Sequence, residues 1–395
     1  MTAGDPNFPS NLAISASTRG VVKVAVEGVQ DADEADDAAQ DVATFGIAGR
    51  TWEAAYFLRH YLTPPSAFST PPIFDPPCPL FTLPPPPASP SPSPSSASQK
   101  RRRRTIVELG SGTGFLSLSL APYLSADDTL LLTDLDNVCP LLSSNLAAAR
   151  TRWRSKAASQ PFAEPDVRVT PLPWGDALAL SRLLALPSGR PDIVLASDLI
   201  YFEFLYAPLL RTLIGLTDPR EGEGEGEGKG RETTVVFSYK VRSLTREQPF
   251  WDAFGRWFSF TPVYLGTPVP PSPPASPTPP SSSPPSSLPA AASPVSSTAP
   301  APQPAPRLSW SRFGARTPSS SSSIPGSTDE LYIFLCTRHA STLSPSFSAE
   351  ELEGVTDEEL LQGRGRGRGE ESGAGQFEEL LMMGLGFDEE EEEGW

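Results

Sequence analysis

Only three cysteines occur in 395 residues, Cys78, Cys139 and Cys336. Their scatter offers neither a disulfide framework nor metal-ligand spacing, so a reducing compartment is expected. Two histidines, His60 and His339, are too few for most metal sites, and no metal is expected. No stretch approaches about 18 uninterrupted apolar residues, and the N-terminus has no apolar signal core, so no membrane partner is expected. The cytoplasm is the expected location, with the nucleus as the alternative. Basic surplus is missing too. The net charge is −16, and from Glu350 to Trp395 sixteen acids face three arginines, about −13, which leaves about −3 for residues 1–349. A near-neutral remainder argues against bulk binding of nucleic acid, which needs a basic face.

What is plentiful is proline, 47 residues concentrated with serine in two long tracts. Such tracts build no core, so length overstates the folded part, and one domain of ordinary size is expected, as a monomer. The expected division is an N-terminal extension over 1–62, a Pro/Ser-rich and basic linker over 63–104, a domain over 105–338 and an acidic low-complexity tail over 339–395. Within the domain, a Glu/Gly loop (217–232) and a Pro/Ser-rich insertion (266–327) are expected to be disordered.

The most informative stretch is Thr105 to Gly114, TIVELGSGTG. Ile106 and Val107 lead to Glu108, and the run breaks into Gly110, Gly112 and Gly114. This reads as a buried strand, a glycine turn and, from Phe115, an apolar helix. Glycines there let backbone approach a ligand closely, beside a helix N-terminus. An acid two residues before the first glycine suits a cationic ligand end better than a pyrophosphate. Thr129 to Asp136 is a second apolar run ending in acids, at about the 20-residue offset of a ribose-gripping carboxylate.

Alternation of strand and helix continues, so the fold class is α/β, a Rossmann-like sheet with flanking helices. Val21 to Val26 alternates as a strand, and Gly46 to Leu62 reads as a helix capped by Thr51. Val138 to Ala149 places Leu141, Leu142, Leu146 and Ala149 inward. Val167 to Leu172 is a strand running into Pro173-Trp174-Gly175-Asp176. Pro191 to Tyr201 is another, ending Ser197-Asp198-Leu199-Ile200-Tyr201, and Phe204 to Leu216 is an apolar helix. Thr233 to Tyr239 and Asp329 to Cys336 are further strands, with Leu244 to Phe258 as a helix between them. Locally, Trp52 and Trp174 could be packing anchors, and Asp198 could cap a helix. Arg101 to Arg104 reads as the lead-in to a strand or as a polyphosphate-binding patch.

Glu108 to Gly114 together with Thr133-Asp134-Leu135-Asp136 resembles the S-adenosylmethionine (AdoMet) site of class I, seven-β-strand methyltransferases. The resemblance implies AdoMet as cofactor, with Glu108 near its methionyl amine, Gly110, Ser111 and Gly112 passing it, and Asp134 on the ribose. Further segments resemble the protein-lysine methyltransferase branch sometimes called family 16. They are G-x-T-W-E-A-A around Trp52, Leu172-Pro-Trp174-Gly-Asp176 and Ser197-Asp-Leu-Ile-Tyr201, with Asn145 at the family's asparagine and Tyr239-Lys-Val-Arg242 at its fifth-strand exit. That implies a seven-stranded, mostly parallel sheet, with Phe258 to Leu265 and the last strand as an antiparallel pair split by the insertion. Trp52, Trp174 and Ser197 would then line the cofactor. Asp198 and Tyr201 would receive an ammonium that a carboxylate draws in and an aromatic ring walls. The substrate implied is a lysine of another protein, a translation elongation factor or a chaperone. Alternatives are a methyltransferase acting on RNA or a small molecule, and a non-catalytic AdoMet-binding scaffold. The absence of proline from Ala196 to Leu199 makes a flat nucleobase the poorer fit.

Overall fold

The computed structural model describes residues 7–8, 14–17, 38–81, 103–157, 163–188, 190–218, 232–269, 307–314, 331–343, 354–363, 377–378 and 380. In chain order its elements begin with α1 (Val42–Phe45), α2 (Glu53–Leu62) and β1 (Ile73–Asp75). The alternating series follows as β2 (Thr105–Leu109), α3 (Phe115–Leu120), β3 (Thr129–Asp134), α4 (Cys139–Ala157), β4 (Asp166–Pro171), α5 (Ala177–Leu184), β5 (Ile193–Ser197), α6 (Tyr206–Leu216), β6 (Thr234–Lys240) and α7 (Leu244–Gly255). The chain ends with β7 (Phe258–Pro262), β8 (Tyr264–Pro268), β9 (Leu308–Arg312), β10 (Leu331–Arg338) and α8 (Asp357–Leu361).

Seven strands form one sheet in the order β4-β3-β2-β5-β6-β10-β7. The first five are parallel, and β10 runs antiparallel to both its neighbours. β2 and β3 are buried at every position, as strands covered on both faces must be, which is why Ile106-Val107 and Leu130 to Leu132 read as consecutive apolar residues rather than as an alternation. One face packs on α5, α6 and α7 through Leu180, Leu210, Phe250 and Phe254. The other packs on α2, α3 and α4 through Leu58, Leu116, Leu142 and Leu146. The chain moves outward from β2 in both directions, to β3 on one side and β5 on the other. A crevice opens at such a switch, beyond the strands' carboxyl ends.

Several expectations are corrected. Thr51 does not cap α2: Trp52 holds the cap position, and the Thr51 hydroxyl meets that of Thr113 at 2.8 Å. The stretch 64–81 is not an unfolded start to a proline tract. It carries β1, the Tyr61 hydroxyl donates to the carbonyls of Pro76 and Pro77, and Cys78 and Leu80 are buried. Nor is the insertion empty of structure. Its two ends pair as β8 and β9, and with β1 they form a second, three-stranded sheet. The expected strand Phe258 to Leu265 breaks at Val263, leaving β7 in the large sheet and β8 in the small one. Of the basic run, Arg103 donates to Thr129 and Arg104 is buried in a bidentate pair with Asp128, so these two do not form an open anion patch. The tail also docks in part: Leu360 of α8 is buried, and Phe377 stacks on Trp251 at 4.6 Å. The strand at Val21 to Val26, Arg101 and Arg102, and the Glu/Gly loop from 219 to 231 lie outside the described residues.

Candidate functional site

A cleft of about 800 Å³ lies beyond the carboxyl ends of β2, β3 and β5. It is lined by all ten residues singled out in the sequence: Trp52, Glu108, Gly110, Ser111, Gly112, Asp134, Trp174, Ser197, Asp198 and Tyr201. They come from five separate stretches of chain, and only the fold brings them together.

The floor is the glycine turn between β2 and α3. Gly110 and Gly112 have φ of +57° and +54°, where a side chain would be strained. A Cβ on Gly110 would lie 2.8 Å from Leu199 and 3.0 Å from the Trp174 ring, and one on Gly112 would lie 2.9 Å from the carbonyl oxygen of Ala48. Ser111 is committed to holding this turn: its hydroxyl donates to the Glu108 carbonyl and accepts from the Thr133 amide. Asp134 Oδ2 accepts the Gly112 amide at 2.8 Å, and its Oδ1 accepts the Leu135 amide at 2.7 Å. Asn145 donates to the Thr113 and Ala39 carbonyls, tying the end of the turn to α4 and the N-terminal segment.

Glu108 and Asp134 are both buried, and burial raises their carboxyls, Glu108 to about 7 and Asp134 to about 6. Amide hydrogen bonds, from Ser117 to Glu108 and from Gly112 and Leu135 to Asp134, offset this only in part. Two desolvated carboxyls beside a glycine cradle suit a ligand with a cationic end and vicinal hydroxyls. Trp174 adds an aromatic wall. The chemistry of these residues fits AdoMet, which carries a cationic amine, a ribose and a flat base. Trp52 is further from a simple stacking wall than its motif implies. Its indole nitrogen donates to the Ile47 carbonyl, and Arg50 and Arg242 lie over the ring at 4.6 and 5.6 Å.

Asp198 follows β5 directly and has φ of +61°, alone in the left-handed region among the described non-glycine residues. It caps no helix, since Phe202 precedes the next helical turn. Its side chain is 1% exposed, and the Arg242 guanidinium holds both oxygens, at 2.7 and 2.5 Å. The carboxylate is therefore not open to an arriving ammonium in this state, contrary to the simple reading of the motif. Arg242 was visible in the sequence only as the last residue of Tyr239-Lys-Val-Arg242, with nothing to say where it pointed. Glu247, on α7, accepts the Arg242 and Ser243 amides and the Tyr239 hydroxyl, which fixes the loop bearing this arginine. Ser197 accepts a hydrogen bond from Ser238, joining β5 to β6 beneath Asp198. Tyr201 packs edge-on against Phe202 at 4.9 Å, and Phe202 stacks on Phe204, whose ring is exposed at the mouth.

The lysine methyltransferase family model matches residues 32–253, more than half of the chain. The protein N-lysine methyltransferase METTL21A of Danio rerio is 29% identical over 136 residues, covering 34% of this chain and 49% of that protein. The protein-lysine N-methyltransferase EFM6 of Saccharomyces cerevisiae is 30% identical over 118 residues, covering 28% and 43%. The chain thus spans about half the length, or less, of the curated relatives it matches. Among solved structures, the rRNA methyltransferase aviRa from Streptomyces viridochromogenes overlaps 36% of this chain and 67% of its own, at 20% identity and a TM-score of 0.27.

Proposed function

Because the chain belongs to the lysine methyltransferase family, we propose that it transfers a methyl group from AdoMet to a lysine side chain of another protein. The observation that carries this is the convergence of Glu108, Asp134 and Asp198 with Trp174 and Tyr201 in one cleft. The first two acids and Trp174 serve the donor; Asp198 and Tyr201 wall the space the acceptor must use.

AdoMet, when bound, supplies a methyl carbon on a positively charged sulfur. The chain's own contribution is placement. Glu108 compensates the amine of the donor, Asp134 takes its ribose hydroxyls, and the glycine turn lets backbone lie against it. Asp198 and Tyr201 would hold an acceptor amine on the side of the donor's reactive carbon. A lysine arriving as an ammonium would first give up one proton to water, and bound AdoMet would then supply the methyl carbon to the freed lone pair, the carbon–sulfur bonding electrons staying on sulfur. Holding the two reactants in line is the main source of rate, and a misplacement of about 1 Å can cost about a hundredfold.

The names of the two relatives support a protein acceptor, and the motif resemblance makes a translation elongation factor or a chaperone the class to try first, in the cytoplasm. Incubation with AdoMet labelled in the methyl group and purified candidate acceptors tests the reading. Label on a lysine, located by peptide mass spectrometry, is the expected result. Label entering RNA instead, or no transfer to any macromolecule from a protein that binds AdoMet, would overturn it.

A further inference from the structure

Asp198 and Arg242 differ in how firmly each is held. Asp198 sits at the end of a central strand, its side chain 1% exposed, on backbone that a non-glycine residue adopts only under strain. Its amide is fixed by the Ser238 carbonyl at 2.8 Å. Arg242 lies on the loop between β6 and α7, with its side chain 31% exposed. It already lies over the Trp52 ring at 5.6 Å, and Glu247 and Glu53 add favourable charge nearby to which it can withdraw. The other buried acids of the cleft have their oxygens engaged by backbone amides: Asp134 by two, Glu108 by one, Glu247 by two. Among the described residues, the hydrogen bonds to the Asp198 oxygens come from the guanidinium. A buried carboxylate is costly without a cation, and here the protein supplies one from a partly exposed loop.

We propose that Arg242 is a resident occupant of the acceptor position: it holds Asp198 until a substrate ammonium takes over that carboxylate and the guanidinium, already over the Trp52 ring, withdraws toward Glu247 and Glu53. Asp198 stays still and Arg242 is exchanged. The exchange replaces one charge-assisted pair by another, so a cation that reaches the carboxylate in good geometry can enter. A neutral or poorly aimed group cannot, because it would leave either the acid or the guanidinium without its partner. Arg242 is in this sense a specificity-determining residue that selects for a long cationic side chain. The inference rests on the reading of the Asp198 side as the acceptor channel.

Two nucleoside probes separate this from the methyl-transfer reading, because neither needs an acceptor. S-adenosylhomocysteine has no charge at the reacting centre. Sinefungin carries an amine on carbon where AdoMet carries its methylated sulfur, and so places an ammonium toward Asp198. The quantity read by calorimetry is the affinity for sinefungin divided by that for S-adenosylhomocysteine. In Arg242→Gln the carboxylate is released from its competitor, and the ratio should rise about tenfold, the worth of one charge-assisted hydrogen bond. Adding Asp198→Asn to that variant should return the ratio to the parent value. A ratio unchanged in Arg242→Gln, or a rise that survives in the double variant, would overturn the proposal. Should Arg242→Gln fail to bind either nucleoside, Arg242→Met keeps the apolar stem over Trp52 and is read the same way. Failure to methylate any protein would leave these ratios untouched and would count against the proposed function alone.

Discussion

Glu108 and Asp134 give the site a pH dependence whose sign differs between the free and the loaded protein. Burial raises both carboxyls, to about 7 and about 6, from an ordinary value near 4. A raised folded-state value stabilises the ligand-free fold in acid, and that contribution is lost as the pH rises through the folded values. The ligand-free protein should therefore melt higher at about pH 5.5 than at about pH 8, so far as these two groups decide it. AdoMet affinity should run the other way. The ligand's cationic amine needs ionised carboxylates, so below the Glu108 value each pH unit should weaken binding by up to about tenfold. Calorimetry in buffers of different ionisation enthalpy should show proton release on binding near neutral pH. Glu108→Gln should flatten the steeper part of the curve. Affinity that stays level between about pH 8 and pH 6 would mean that Glu108 is not beside the amine. At this scale the identities of the acids were legible, because a strand-end acid next to a glycine turn leaves a local pattern. The Asp198–Arg242 pair was not. Its members are 44 residues apart, and no local pattern aims a loop arginine.

Elements were legible to the extent that their neighbours bury them uniformly. β2, β3 and β5 are enclosed on both faces, so each carries a run of consecutive apolar residues that stands out against the composition, with its polar residues at or near the strand ends. The small sheet behaved differently. β1, β8 and β9 have alternating or exposed positions and lie inside proline-rich stretches, so composition averaged over each tract conceals them. Their partners are also remote: Ile73 faces Gly266, which in turn faces Trp310. The Trp310 ring lies over Gly266, where an added Cβ would meet it at 3.1 Å. Inside, Phe74 and Phe313 pack with His60 and Phe57 of α2, and burial pushes the His60 imidazole down to about 4. The insertion can thus be shortened only between its paired ends. The Val269 amide donates to the Arg307 carbonyl at 2.8 Å, so the chain leaves and re-enters the hairpin at one place. Replacing residues 270–306 by an Asn-Gly turn should cost no stability and should add up to about 2–3 kcal/mol, because each halving of a loop eases its closure by about 0.6 kcal/mol. Extending the cut through Leu308 to Phe313 removes a strand and a buried ring, and should cost about 3 kcal/mol or more. Equal urea midpoints for the two deletions would mean that β9 contributes nothing to the fold.

The acidic tail belongs in part to the folded molecule, although composition assigns it to solvent. Thr356 and Glu359 form a capping box at the start of α8, and Asp357 pairs with Arg211 of α6 at 3.0 Å. Leu360 is fully buried against the α6 and α7 side of the sheet, and Phe377 lies parallel to Trp251. Phe377 also meets Tyr239, whose hydroxyl bonds Glu247. The tail therefore packs behind the residues that fix the Arg242 loop. Two effects are combined in any truncation, loss of apolar burial and loss of most of the net negative charge. Removing residues 350–395 takes away about −13 of the −16, which relieves self-repulsion and works in favour of the fold. Burying a leucine and a phenylalanine works the other way, and their removal typically costs about 2–5 kcal/mol each in a core. Packing should win, and the truncated chain should unfold at a lower urea concentration. Leu360→Ala with Phe377→Ala keeps every charge and isolates the packing part, so it should be destabilised by at least as much as the truncation. A double variant as stable as the parent would place the tail in solvent. A double variant milder than the truncation would mean that the tail's carboxylates, Asp357 on Arg211 first among them, hold it in place.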